Sequence, residues 1–106
     1  MPYAKAFNAE PIETDEDGNK EFTLDDINGE IRKISVKFFE QDLPDENFEM
    51  RFYTTEGELI YEHRGTINFV SYPKMESNDR YIVVGFVRVS ITAGRKIAIK
   101  EVAVFY

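Results

Sequence analysis

One histidine, no cysteine and one acidic Asp15-Glu16-Asp17-Gly18-Asn19 run are what this 106-residue chain offers to chemistry. With no cysteine and no second histidine, zinc and iron sites of the usual ligand types are not expected. His63 precedes Arg64 at the end of a predicted strand and reads as an exposed strand-end residue rather than a catalytic base. The chain has no Gly-x-Ser-x-Gly elbow, no Walker loop and no dinucleotide fingerprint. Two carboxylates can hydrolyse a glycosidic bond, but the general acid needs burial to raise its pKa. The acids here fall mostly in predicted turns, where water keeps them ionised. An enzyme is not expected.

The acidic run admits a second chemistry. A hard cation such as calcium takes several oxygens from one tight loop, and Asp15, Asp17 and Asn19 supply three side chains. The run is not an EF-hand: Gly18 falls at the fourth place and no Glu occupies the twelfth. It reads first as a plain Asp-Gly turn with solvated charges. Calcium is the only cofactor it suggests.

Aromatic side chains outside the inward registers are the remaining candidates: Phe39, Tyr53, Tyr72, Tyr81 and Tyr106. Exposed rings stack on sugars or anchor protein interfaces. Tyr72 and Tyr81 flank a polar loop at 73–80. Tyr72, Tyr81, Tyr53 and Arg80 are therefore the expected contacts to a ligand or partner.

The elements that must position these residues are strands. Residues 1–20, with Pro2, Pro11 and the acidic run, read as an irregular arm. From Glu21 to Tyr106 the pattern has period two. Ile34, Val36 and Phe38 alternate with Lys33, Ser35 and Lys37 in a predicted half-buried strand over 31–39. Phe48, Met50 and Phe52 lead to a hairpin turn at Thr55-Glu56-Gly57-Glu58, with a return strand over 59–63. A further strand is predicted over 66–72 and a long one over 81–91, with Gly85 at a bulge or bend. The last, over 97–106, shifts register near Lys100-Glu101. About seven or eight short strands with frequent turns predict an all-β antiparallel sandwich.

Three segments resemble discoidin-like, galactose-binding-domain-like sandwiches. They are Glu21–Asp25 with Ile31–Phe38, Phe48–Gly57, and Tyr81–Ile91 with Ile99–Phe105. The resemblance covers about residues 21–106 and implies a jelly-roll sandwich and, by its functional association, carbohydrate binding. The chain departs from the family in lacking tryptophan and in having too short an N-terminal segment, where the family's ligand loops largely lie. No ligand residue is carried over.

Bulk charge narrows the partners. Residues 1–50 carry 14 Asp/Glu and 5 Lys/Arg, a net of −9, and residues 51–106 carry 6 and 8, a net of +2, which sum to −7. Such a chain is repelled by nucleic acid and by anionic membranes. The asymmetry reads first as solubilising charge that happens to cluster; its functional reading is head-to-tail association between an acidic and a basic end. Residues 1–9 hold no apolar run suited to a signal peptide, so synthesis in a cytoplasm is expected, with later incorporation into a virus particle left open. The expectation is a non-catalytic structural or assembly protein that binds protein partners or its own copies, such as an accessory or decoration component of a phage or other virion. A carbohydrate-binding module that takes up a glycan is the alternative.

Overall fold

The computed structural model describes residues 4–39, 48–65, 69–71 and 81–106. Among them are nine strands: β1 (Lys5–Phe7), β2 (Ile12–Glu13), β3 (Asn19–Glu30), β4 (Lys33–Phe38), β5 (Glu49–Tyr53), β6 (Leu59–Arg64), β7 (Phe69–Ser71), β8 (Ile82–Thr92) and β9 (Ala98–Phe105). They form two antiparallel sheets packed as a sandwich. Sheet A runs β1–β9–β4–β7, with β2 also on β9, and sheet B runs β3–β8–β5–β6. With β1 and β2 taken as one interrupted edge strand, the chain changes sheet at every connection except β5 to β6. That interleaving is the order of a jelly roll.

The alternation read from sequence is the packing. Ile34, Val36 and Phe38 point inward from sheet A, and Met50, Phe52, Val87, Val89 and Ile91 from sheet B, all buried. Phe38 meets Phe48 edge-to-face at 5.3 Å across the interior. Burial of each such side chain contributes roughly 1.5–3 kcal/mol. The register shift expected near Lys100 is a bulge: Lys37 pairs with Glu101 and Phe38 with Ile99, leaving Lys100 over.

Two regions are more ordered than their sequence suggests. The segment read as an irregular arm adds β1 and β2 along the free side of β9. Side-chain bonds reinforce this ladder where it is broken. The Asn8 carboxamide oxygen accepts from Val102 N at 2.7 Å where the ladder is interrupted beside the bulge. The buried Thr14 hydroxyl accepts from Ile97 N at 2.9 Å. β3 extends over twelve residues, because a bulge at Asp26 (φ 60°) lets the register change between Asp25 and Ile27 while pairing to β8 continues. Gly85, expected at a bulge or bend, pairs opposite Ile27 at this irregularity.

The Thr55–Glu58 turn forms as expected, closed by Thr54 N to Glu58 O at 2.8 Å, with Gly57 at φ 91°.

Candidate functional site

Of the four expected contact residues, Tyr72 and Arg80 lie outside the described residues. Tyr81 packs partly buried against the core, and its carbonyl accepts from Ile31 N at 2.8 Å. Tyr53 stands on the outer face of sheet B beneath the Arg88 guanidinium, 4.4 Å from its ring centre. Tyr81 lies seven residues along from Arg88, about 23 Å at strand rise, so it and Tyr53 do not form one site.

The acidic run has a structural use. One Asp15 carboxylate oxygen accepts from the backbone N–H groups of Asp17 and Asn19, both at 2.9 Å. Gly18 N donates to Asp15 O at 3.0 Å. The carboxylate is thus engaged in forming the β2–β3 turn. Among the described residues, no three or more His, Cys, Asp or Glu side chains are grouped to hold a metal ion. A cleft of about 680 Å³ opens beside this turn, lined by Asp15 and Asn19 together with Glu13, Lys20 and Lys96.

His63 is not the exposed residue expected. It pairs opposite buried Met50, so it faces inward. Its ring stacks on Phe69 with centres 3.6 Å apart and planes 15° apart. Burial holds its pKa below the ordinary value of 6.5. The bulge between Phe52 and Tyr53, which leaves Ile60 over, sets the register that turns Tyr61 and His63 inward.

The outer faces of the two sheets carry the surface chemistry. On sheet B, cross-strand rows run Glu30–Ile82, Asn28–Val84, Asp25–Phe86 and Thr23–Arg88–Tyr53–Leu59. Ile82 is 72% exposed and Val84 68%. They form a ridge with half-buried Phe86 along β8, bordered on β3 by acids. The Thr55 hydroxyl holds the middle of β8, donating towards Phe86 O (2.8 Å) or Val84 O (3.1 Å) and accepting from Phe86 N at 3.0 Å. The other end of this face is polar. Arg51 and Arg64 each bridge Glu49 and Glu62 at 2.8–3.4 Å. The Arg51 contact holds the Glu62 carboxyl below its usual range.

On sheet A the rows run Lys5–Phe105–Lys33, Phe7–Ala103–Ser35–Val70 and Glu101–Lys37. Ala103 and Ser35 are buried although they point outward, because they are small and lie between Phe7 and Val70, which are 53% and 51% exposed. This makes a shallow groove three strand spacings wide, about 14 Å. Lysines line it: Lys5 and Lys33 each place the ammonium 4.9 Å from an aromatic ring, on Phe7 and Phe105 respectively. Lys5 also pairs with Glu101 at 3.2 Å.

Sequence reasoning missed Ile82 and Val84 because they sit in the run Tyr81-Ile82-Val83-Val84. An unbroken apolar run does not say which residues face out. Comparison of the chain with models of protein families and with curated proteins finds no match.

Proposed function

We propose that this chain is a non-catalytic assembly module that docks onto a larger protein complex through the outer face of sheet B. The observation that carries this reading is the exposure of Ile82 and Val84 on β8, where it runs past the end of β5 and pairs with β3 alone. The solvated face of an antiparallel sheet is ordinarily polar, and a contiguous apolar patch rimmed by polar groups marks an interaction surface. Burial of the two side chains against a partner would contribute roughly 1.5–3 kcal/mol each. The only histidine is committed to a ring stack, which supports the non-catalytic part. An accessory or decoration component of a virus particle is the setting proposed. Kinship with discoidin-like sandwiches is proposed on the order and spacing of the three similar segments.

The products of genes flanking this one, capsid or tail components among them, are the partners to test by co-expression and gel filtration. Co-elution is expected with one of them. The double variant Ile82→Glu, Val84→Lys should lose it while melting within a few degrees of wild type, since both side chains face solvent. No co-elution with any neighbour, together with glycan-array binding that Tyr53→Ala abolishes, would replace this reading with carbohydrate binding.

A further inference from the structure

We infer that the half of β8 beyond the end of β5 is an open sheet edge, which takes up an extended basic segment of the partner as an added strand. This rests on the proposed docking role and names the element and the chemistry that the partner brings.

The ladder shows which groups are available. Ile31 N donates to Tyr81 O at 2.8 Å, so Glu30 and Ile82 are opposite each other without bonding to each other. The N–H and C=O of Ile82 therefore point away from β3, and by alternation so do those of Val84. β5 would receive them, but its pairing with β8 ends at Tyr53–Arg88. One side chain continues that line for a single step. The Thr55 hydroxyl accepts from Phe86 N at 3.0 Å and donates to Phe86 O (2.8 Å) or Val84 O (3.1 Å). Among the described residues, Val84 N, Ile82 N and Ile82 O have no hydrogen-bond partner.

A flat apolar surface laid over Ile82 and Val84 would cut these backbone groups off from water and leave them unpaired, which is costly. A strand avoids that. It offers a donor and an acceptor on every second residue, about 7 Å apart. It also sets an outward side chain beside each of Ile82 and Val84, so that the ridge is covered by cross-strand pairs.

The charge of the segment follows from its surroundings. Glu56 and Glu58 stand exposed on the turn that carries Thr55, and Asp25 is exposed on β3 opposite Phe86. Among the described residues none of these three is in an ion pair, whereas Glu30 and Glu21 are held by Arg32 and Arg88. Lysine or arginine flanking the apolar residues of the added strand complements the free carboxylates.

The probe is the synthetic peptide acetyl-Lys-Thr-Val-Thr-Val-Thr-Lys-amide, whose valines and lysines share one face of a strand. Titrated at millimolar concentration into the isotope-labelled full chain, it should shift the amide resonances of Ile82 and Val84 most and slow their hydrogen exchange. The same peptide N-methylated at both valines keeps its side chains and charge but loses the donors. It should bind at least about tenfold more weakly. The variants Ile82→Pro and Val84→Pro each remove an N–H that faces away from β3, and should weaken binding of the unmodified peptide to the same degree. Glutamate in place of the peptide's lysines should also weaken it. Should a proline variant not fold, the comparison of peptides on the wild-type chain stands by itself. The absence of a localised shift, or equal binding of the N-methylated peptide, overturns the inference. If a flanking gene product then still co-elutes, and is lost with Ile82→Glu, Val84→Lys but kept with both proline variants, strand addition falls and the docking role stands.

Discussion

At Gly18 two constraints meet. Its φ is +87°, a conformation that costs an L side chain about 1–2 kcal/mol. A methyl group there would also stand 2.6 Å from the backbone nitrogens of Gly94 and Arg95. These atoms belong to the β8–β9 turn, which Gly18 holds through its carbonyl and Ala93 N at 2.9 Å. Gly57 has a similar φ of +91° but open space around it. Gly57→Ala should therefore cost only the conformational strain, whereas Gly18→Ala should cost that strain plus separation of two packed turns. A thermal melt is expected to show Gly18→Ala losing more than about 2 kcal/mol, or about 8 °C or more, and Gly57→Ala losing less. Equal losses would mean that the two turns separate freely.

Among elements, β1 and β2 depend on side chains for what a continuous strand takes from its ladder. Asn8 supplies the acceptor that Val102 N requires where the edge is interrupted. Asn8→Ala strands that donor, and loss of one partner of a partly buried hydrogen bond costs about 1–2 kcal/mol. Hydrogen exchange should speed up at the Val102 amide and along β1, and stay slow in the β4–β9 ladder. Unchanged exchange at Val102 would show that water replaces the carboxamide without cost. The same elements mark what a sequence can reveal. Ile34, Val36 and Phe38 announce β4 because one face is apolar and the other is not, and the lost alternation at Lys100-Glu101 announces the bulge. Runs of three and two residues, as in β1 and β2, are too short to carry a period, and their order comes from Asn8 and Thr14 bonding to residues more than eighty positions away. In β6 the bulge at Ile60 resets the register, so counting along the strand gives the wrong side for His63. The surface ridge was hidden for a related reason: a central strand apolar on both faces has no alternation to read.

In the whole molecule, sheets A and B must be sealed along their open sides. On one side the Tyr106 hydroxyl of the C-terminus donates to Asp26 O at 3.0 Å, next to the bulge of β3. On the other, edge strands β6 and β7 meet through the His63–Phe69 stack, with Tyr61 packed 5.9 Å from Phe69. That seal contains the only titratable ring of its kind in the chain. Among the described residues, His63 Nε2 is buried with no hydrogen-bond partner, while Nδ1 lies 3.5 Å from the Tyr61 hydroxyl. A proton added to the imidazole would place a charge and two N–H groups where only one has a neighbour. The folded state therefore binds this proton less readily than the unfolded chain, whose histidine titrates near 6.5. Linkage fixes the sign: stability is complete above about pH 6.5 and declines as pH falls from there towards the lowered folded value. Glu62, held low by Arg51, acts in a separate window, losing its contribution only as pH falls below about 4.5. The interval between these two values thus belongs to His63. The melting temperature of the wild type should fall between pH 6.5 and 5. His63→Phe keeps a ring against Phe69 but carries no proton, so its melting temperature should stay nearly level over the same interval and decline only in the carboxylate range. Parallel profiles for the two proteins would show that the sandwich admits the charged ring without cost, and that the contact between β6 and β7 opens to water more readily than its packing implies.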